Sequence, residues 1–161
     1  MHPNEKLLAD FYSAFAARDH GAMARAYDDG ATFTDPVFPG LDAEHVRGMW
    51  RMFCSGGNVE VTHGNVKADD TKGSARWEAR YKFPGTGRPV HNKIRASFEF
   101  KDGRIVQHTD AFPFYRWARM ALGAPGFLLG WSGLVRGRVR SQAAAQLDRF
   151  MEGEGATPDA T

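Results

Sequence analysis

The sequence predicts an α+β fold, in which a cone-shaped, curved antiparallel sheet carries N-terminal helices on its concave face and a C-terminal helical extension. Two observations support this prediction. Helical periodicity dominates up to about residue 54, and from residue 59 apolar and polar residues alternate between recurring turn signals. Because the helices precede a run of hairpin strands, they can cover one face of the sheet, which is typical of the α+β class.

The composition is that of one globular domain. The chain has 161 residues, of which 42% are hydrophobic and 12% aromatic, and its formal net charge is +2. These values exclude general disorder and a pair of large domains. A charge surplus this small, without a clustered stripe, predicts no nucleic-acid partner. With one cysteine, Cys54, and neither a signal peptide nor a transmembrane segment in view, we expect a cytoplasmic protein.

Two helices are predicted near the N-terminus. The first begins after Asn4, a residue type suited to the N-cap, and carries an apolar stripe at helical spacing. A second, short helix is expected over 22–27, before the turn at 28–30. The stripe of the first helix is formed by Leu8, Phe11, Tyr12 and Phe15.

A short strand and a third helix are expected next. Residues 31–35 alternate, which places Phe33 and Asp35 on one face of the strand. Asp42 can cap a helix that runs to about residue 54 and has Trp50 on its apolar side.

The middle of the chain predicts four strands joined by three hairpins. Turn signals at 69–73, 84–87 and 101–103 separate the alternating segments. Neighbouring strands joined in this way form an antiparallel meander. The strands are expected over 59–68, 74–83, 89–100 and 104–112.

Alternation along these strands predicts which side chains face inward. In the last strand either the set with His108 and Asp110 or the alternate set, Ile105, Gln107, Thr109 and Ala111, could point inward. Whether His108 and Asp110 or the polar pair Arg76 and Glu78 of the second strand faces the cavity therefore stays open. The charged face of the middle strands is expected to be a solvated surface, and the alternative is an interface with a second copy. The inward set of the second and third strands includes Trp77, Tyr81, Asn92 and Phe98.

The predicted organisation is a cone domain over 1–112, a helical extension over 113–151 and a flexible tail over 152–161. The extension combines an apolar, glycine-punctuated hairpin with a basic helix whose stripe includes Val139 and Leu147. We expect it to close the mouth of the cavity or to pack on a partner subunit. Contact with an anionic membrane surface is the alternative.

Two stretches resemble segments of known enzymes. They read AYDDGATFTDP at 26–36 and DGRIVQHTDAF at 102–112. Residues 4–112 resemble the nuclear transport factor 2-like superfamily, and the chain is most similar to its SnoaL-like branch, related to polyketide cyclases and ketosteroid isomerases. The first stretch resembles the ketosteroid isomerase segment that carries the general base, which implies this role for Asp35. The second resembles the last strand of SnoaL-like and epoxide hydrolase members, which implies an inward acid–base role for Asp110.

The chain departs from the better-known members of this superfamily. In ketosteroid isomerase, a tyrosine and a protonated aspartic acid serve as oxyanion donors. Alignment on the resembling stretches puts Phe11 and Ala96 at those two places, with Tyr12 next to the first. Arg76 and Glu78, which have the spacing of the epoxide hydrolase charge pattern, are expected to point outward. The resemblance therefore implies neither of these two mechanisms in its full form.

The candidate catalytic residues are Asp35, Asp110 and His108. Desolvation in an apolar cavity disfavours a charged carboxylate and makes it a stronger base, which suits proton abstraction next to a carbonyl. His108 could orient Asp110 or donate to an oxyanion. The candidate substrate-binding residues are Tyr12, Phe15, Phe33, Trp50, Trp77, Tyr81, Asn92 and Phe98.

Each catalytic assignment has a structural alternative. Asp35 could cap the turn before Pro36, Asp110 could hydrogen-bond to Tyr12 or to the tail, and His108 could be a satisfied core histidine.

The predicted function is a SnoaL-like enzyme that acts on a small hydrophobic carbonyl or epoxide compound by cofactor-free aspartate acid–base catalysis, as an isomerase, cyclase or hydrolase. The alternative is a non-catalytic small-molecule-binding or dimerisation domain of the same fold. The expected partners are a small hydrophobic ligand and a second copy in a homodimer. No metal is predicted, because the histidines are scattered without ligand-pair spacing.

Overall fold

One six-stranded sheet, curved and not closed, organises the chain. The computed structural model describes residues 1–56, 58–124, 126 and 132–155. The helices are α1 (Pro3–Ala16), α2 (His20–Arg25), α3 (Ala43–Ser55), α4 (Phe114–Leu122) and α5 (Gly133–Gly155). The strands are β1 (Tyr27–Thr34), β2 (Leu41–Asp42), β3 (Glu60–Ala68), β4 (Lys72–Lys82), β5 (Pro89–Lys101) and β6 (Arg104–Ala111).

The predicted meander is present. Strands β3 to β6 are antiparallel neighbours, and the complete strand order is β2-β1-β6-β5-β4-β3. Helices α1 and α3 pack on the sheet, α1 against β3 and β4 and α3 against β1. The α+β class with N-terminal helices and a C-terminal helical extension is therefore confirmed.

The pairing of β1 was not part of the prediction. β1 runs parallel to β6, with Phe33 opposite His108 and Thr34 opposite Thr109. The strand begins at Tyr27, which the sequence pattern had placed at the end of a helix; α2 instead ends at Arg25. Pairing with a distant strand overrides the local helical preference of these residues.

The predicted N-cap is correct for α3 and wrong for α1. Asp42 caps α3, because its Oδ1 accepts a hydrogen bond from the backbone N–H of His45 at 2.9 Å. The prediction of Asn4 as the cap of α1 is wrong: His2 is the N-cap, and its Nδ1 accepts from the backbone N–H of Asn4 at 3.0 Å. Pro3 at the first helical position needs no hydrogen-bond partner for its nitrogen. Asn4 is buried and donates instead to Asp69 O in the β3–β4 turn at 2.9 Å.

The described part of the extension packs on the domain. In α4, Trp117 and Ala118 are buried against Val90 of β5. In α5, Leu147 is buried in the main core. Met151 of α5 packs closely on Gly48 of α3, where an added Cβ on Gly48 would lie 2.8 Å from the Met151 Sδ. Part of the predicted apolar hairpin, residues 125 and 127–131, lies outside the described residues. None of the described helices combines the length and the apolar character that a membrane crossing requires.

Replacement of Leu147 by alanine should test the packing of α5. Leu147 is 1% exposed, so Leu147→Ala is expected to lower the free energy of unfolding by about 2–4 kcal/mol, because it leaves a cavity between α5 and the core. The matched control is Leu134→Ala on the same helix, where the side chain is 79% exposed and the expected change is about 0.5 kcal/mol or less. Urea denaturation gives both values, and equal losses would contradict this packing.

Candidate functional site

Strand register turns His108 and Asp110 toward the interior. Phe98 lies opposite His108 and Ala96 opposite Asp110 across the β5–β6 pair, and both β5 residues are buried. His108 is 0% exposed and Asp110 is 3% exposed. The competing pair points away: Arg76 is exposed, and Glu78 pairs with His91 on the outer face at 2.8 Å. The question that periodicity left open is thereby answered in favour of His108 and Asp110.

A chain of hydrogen bonds runs through the buried pair. His108 Nε2 lies 2.8 Å from Asp110 Oδ1, and His108 Nδ1 lies 2.8 Å from Tyr27 Oη. Trp50 Nε1 donates to Tyr27 Oη at 2.9 Å, and Trp77 Nε1 makes a longer contact of 3.4 Å to Asp110 Oδ1. These five side chains come from four elements: Tyr27 from β1, Trp50 from α3, Trp77 from β4, and His108 and Asp110 from alternate positions on β6.

The donors in this chain can be satisfied in only one consistent direction. Burial raises the pKa of Tyr27 well above its ordinary value, so the side chain remains a phenol. Its oxygen accepts from Trp50, and its proton can go only to His108 Nδ1. A neutral imidazole that accepts at Nδ1 carries its proton on Nε2, and Nε2–H then donates to Asp110. The network thus assigns the tautomer of His108 and presents Asp110 as an acceptor.

Aromatic rings enclose His108. The ring centroid of Phe98 lies 4.2 Å from that of the imidazole, and that of Phe33 lies 4.9 Å away. Trp50 stacks on the imidazole at 6.2 Å. Since both nitrogens are bonded and no part of the ring is exposed, His108 is a satisfied core histidine that can act on a substrate only through Asp110.

Asp35 lies just beyond the end of β1, next to Asp110 on the parallel neighbour β6. The register pairs Thr34 with Thr109, and Asp35 and Asp110 are the residues that directly follow these two partners. Asp35 Oδ1 accepts from the backbone N–H groups of Val37 at 2.7 Å and Phe38 at 2.6 Å. The turn-capping alternative is therefore realised, while Oδ2 makes no hydrogen bond within the described part of the chain.

Burial raises the pKa of Asp35 to about 7. The two backbone hydrogen bonds and the charge of Arg140 lower this pKa, and the neighbouring charge of Asp110 raises it, but desolvation dominates. A carboxyl group with this pKa gains and loses its proton near neutral pH.

Two polar residues of the predicted binding set lie on neighbouring strands, Asn92 on β5 and Tyr81 on β4. Asn92 is 7% exposed, and its side chain makes no hydrogen bond to the described residues. Tyr81 is partly buried and accepts a hydrogen bond from Trp117 Nε1 of α4 at 2.8 Å. Burial raises the pKa of Tyr81, and the charge of Asp35 adds to this effect, so the phenol lies within electrostatic reach of Asp35.

The apolar members of the predicted binding set lie deeper than a ligand can reach in this arrangement of rings. A side chain that lines a cavity large enough for water retains exposed surface, yet these residues pack against one another in the core. Their contact with substrate stays a prediction that requires a ring to move. Exposure is 3% or less for Tyr12, Phe15, Phe33, Trp50 and Phe98, and 7% for Trp77.

Tyr12 differs from the other buried tyrosine. Its hydroxyl is fully buried and has no hydrogen-bond partner among the described residues. The predicted alternative of a bond between Asp110 and Tyr12 is therefore wrong, since the Asp110 bonds go to His108 and Trp77. Tyr12 instead stacks on His63 of β3, with ring centroids 5.6 Å apart.

Sequence reasoning did not assign a role to Tyr27, and it counted Trp50 only among the apolar walls. In the stretch 26–36 the resemblance points only to Asp35, and the sequence pattern predicts a helix that includes Tyr27. Its contact with His108 joins residues 81 positions apart, which a local pattern does not reveal. Among the described residues, no group of three or more His, Cys, Asp or Glu side chains could hold a metal ion.

Comparison with known proteins gives a match to one family. The SnoaL-like domain matches residues 8–108, which include His108 but end before Asp110. No sequence among curated proteins matches the chain.

Several solved structures share the fold. An NTF2-like protein of unknown function from Burkholderia pseudomallei has 16% identity and a TM-score of 0.63, over 74% of this chain and 98% of that chain. An LEH-like epoxide hydrolase from M. tuberculosis has 20% identity and a TM-score of 0.59, over 83% and 95%. A candidate polyketide cyclase from Streptomyces antibioticus has 22% identity and a TM-score of 0.61, over 76% and 100%. At these identities the likeness shows the fold alone.

Conversion of each buried tyrosine to phenylalanine should give opposite results. Tyr27→Phe leaves His108 Nδ1 and Trp50 Nε1 without a partner, so we expect a loss of about 2–4 kcal/mol in unfolding free energy. Tyr12→Phe removes a hydroxyl that has no described partner, so we expect no loss or a gain of about 1 kcal/mol. Chemical denaturation measures both, and a similar loss in the two variants would refute this assignment of partners.

The raised pKa of Asp35 predicts a pH-dependent stability difference. Below an unfolded-state pKa of about 4, the carboxyl is protonated in both states and costs nothing. Between that pH and about 7 the unfolded chain ionises first, so the folded state loses stability as pH rises. Asp35→Asn removes this loss, and its stability relative to the parent should increase by about 2–4 kcal/mol between about pH 4 and pH 8.

The control for this experiment is Asp28→Asn, which changes a carboxyl within β1 that also accepts a backbone hydrogen bond, from Gly30 N–H at 2.8 Å. Urea titrations of the three proteins across the pH range supply the comparison. If the Asp35→Asn difference is constant with pH, the carboxyl has no raised pKa.

Proposed function

The chain belongs to the SnoaL-like domain family, and we propose that it is an enzyme of that family that acts on a small hydrophobic carbonyl or epoxide compound by aspartate acid–base catalysis without a cofactor. The observation that carries this proposal is a pair of unlike carboxyl groups, Asp110 on β6 and Asp35 just beyond the end of the neighbouring strand β1. Asp110 is held as an acceptor by a buried hydrogen-bond chain, and Asp35 has a pKa of about 7. Two carboxyl groups whose environments differ in this way are suited to separate acid and base roles.

Asp110 is the proposed base. Its Oδ1 is occupied by His108 and Trp77, whereas Oδ2 makes no hydrogen bond to the described residues. An oriented carboxylate with one unoccupied oxygen can take a proton from a carbon next to a carbonyl or from a water molecule. His108 is a positioning residue in this scheme, because its two nitrogens are committed to Tyr27 and Asp110.

Asp35 is the proposed acid. Below pH about 7 its carboxyl carries a proton that Oδ2 can present to a developing oxyanion, while Oδ1 stays on the backbone of Val37 and Phe38. Asn92 on β5 and Tyr81 on β4 supply further polar groups. This donor set would replace the missing oxyanion donors at Phe11 and Ala96, both of which are apolar and buried.

The proposed step balances for both substrate classes. With a carbonyl compound, Asp110 takes the proton from the α-carbon, the C–H electron pair forms the enol double bond, and Asp35 gives its proton to the oxygen. With an epoxide, Asp110 takes a proton from water, the water oxygen forms a bond to carbon as the ring C–O bond breaks, and Asp35 protonates the leaving oxygen. The epoxide hydrolase and the candidate cyclase with this fold support these two classes.

A non-catalytic ligand-binding or dimerisation domain is the second candidate. Its support is the dense packing around His108, where Phe98 and Phe33 leave the ring no exposed surface. A domain of this kind would use the site for binding only, and Asp35 would serve as the cap of its turn.

We also propose how the chain is divided, how it assembles and where it is located. The cone domain is assigned to 1–112 and the extension to 113–151, and a homodimer in the cytoplasm is the proposed assembly. The exposed charged residues on the outer face of β4 and β5 support the homodimer, because this face could contact a second copy. The buried Cys54, which forms no disulfide, suits a reducing compartment.

Turnover by aspartate variants tests the proposed function. A panel of small apolar enones, ketones and epoxides is screened by thermal shift, and compounds that bind are assayed for turnover. Asp110→Asn should lower kcat by about 100-fold or more, because the amide cannot accept the proton, and should leave binding largely intact. In the parent protein, kcat should fall as pH rises through about 7, because the acid form of Asp35 is lost, and Asp35→Asn should remove this dependence.

The control variant is Asp10→Asn, which removes an exposed carboxyl on α1 that pairs with Lys6. It should leave kcat unchanged. Ligand binding that is unaffected by both site variants, with no turnover by the parent protein, would replace the enzyme assignment with that of a binding module.

A further inference from the structure

A basic pocket lies where the β4–β5 hairpin meets α4, outside the site described above. Its volume is about 440 Å³, and its lining includes Arg88, Arg116 and Arg119. Arg88 comes from the hairpin, whereas Arg116 and Arg119 stand three positions apart on α4 and so project from one side of that helix. Three arginine residues from two segments therefore line one concave surface.

Arg88 is fixed in place by the helix end. Its Nε donates to Met120 O at 3.1 Å, and the neighbouring Thr86 Oγ1 donates to Ala121 O at 2.5 Å. Gly123 adopts φ +71°, and a Cβ at this position would lie 3.1 Å from the Arg88 guanidinium, so a glycine leaves the space that the group occupies. The Nη groups of Arg88 make no hydrogen bond within the described ranges. They remain available to an external acceptor.

The chain segments that contribute the pocket residues carry no acidic side chain close to them in sequence. The sequence contains no Asp or Glu in 79–98 or in 111–147, which together include the β4–β5 turn, α4 and more than half of α5. Arg116 forms no ion pair or hydrogen bond with the residues that the structure describes. Arg119 packs over the ring of Tyr115 at 5.7 Å. Like charges that line one pocket repel one another, and a bound anion would relieve that repulsion.

We propose that this pocket binds a ligand through a phosphoryl group. Guanidinium groups match phosphate oxygens with paired N–H donors, and three of them can neutralise the charge of one dianionic group. Preorganisation of Arg88 by Met120 and Gly123 lowers the conformational entropy that binding costs. The phosphoryl group can belong to a soluble organic phosphate or to a lipid headgroup, since both present the same oxygens.

The pocket is separate from the carboxyl site but shares a helix with it. Trp117, between Arg116 and Arg119 on α4, donates to Tyr81 Oη at 2.8 Å on the opposite side of the helix. The proposal does not rest on the proposed function, because its evidence is confined to the hairpin and the outer side of α4.

Calorimetric titration with inorganic pyrophosphate tests the pocket, and a second arm measures sedimentation with phosphatidylcholine vesicles with and without phosphatidic acid. The variant is Arg116→Gln, since Arg116 has no described bond whose loss would disturb folding. The matched control is Arg95→Gln, which removes the same charge from the exposed outer face of β5. A thermal unfolding curve verifies that each variant is folded.

The expected result is that Arg116→Gln weakens pyrophosphate binding by about tenfold or more, while Arg95→Gln leaves it unchanged. Vesicle binding that requires both phosphatidic acid and Arg116, without pyrophosphate binding, would support the site with a lipid headgroup as its ligand. Absence of binding in both arms would overturn the proposal. So would an equal loss in the two variants, because it would show attraction to overall charge only.

Discussion

Burial of an ionisable pair in an aromatic core is the constraint on which the rest of the structure depends. His108 and Asp110 have almost no contact with solvent, so every polar atom of the pair needs a partner from the protein or a role toward a ligand. Tyr27 and Trp50 meet this need on one side of the imidazole, and Trp77 contributes on the carboxylate side. The places of β1, α3 and β4 around β6 are therefore linked to the protonation of one histidine.

The same constraint divides the interior into two parts. Around His108 the rings of Phe33, Phe98 and Trp50 fill the space, and polar groups serve one another. Two polar groups are less completely satisfied: beyond the end of β1, Asp35 retains an oxygen without a described partner, and on β5 the amide of Asn92 makes no hydrogen bond to the described residues. A reaction near Asp35 could use Asp110, because the packed part of the interior holds this carboxylate in position with almost no exposure to water.

Local patterns explain what could be predicted. The meander followed from alternation and turn signals, because hairpin strands are neighbours in sequence, and Asp42 was recognised as a cap from residues three positions away. The parallel partner of β1 and the bond from Tyr27 to His108 depend on tertiary packing, which no local period encodes. Alternation identified Phe15 and Phe98 as inward-facing, but the same pattern describes a cavity wall and a filled core. Whether the inward face lines a cavity or a filled core depends on how the rings of α1 and α3 pack against those of the sheet.

The parallel pairing of β1 with β6 also governs when the site can exist during folding. The helices and hairpins bring together residues close in sequence, whereas this pairing closes a loop between Tyr27 and His108, 81 positions apart. Loop closure of this length carries an entropy cost that local contacts do not. During synthesis the chain must emerge past β6 before Tyr27 can reach His108 or Asp35 can lie beside Asp110. A nascent chain can therefore hold most of its hairpins while it still lacks both halves of the carboxyl site.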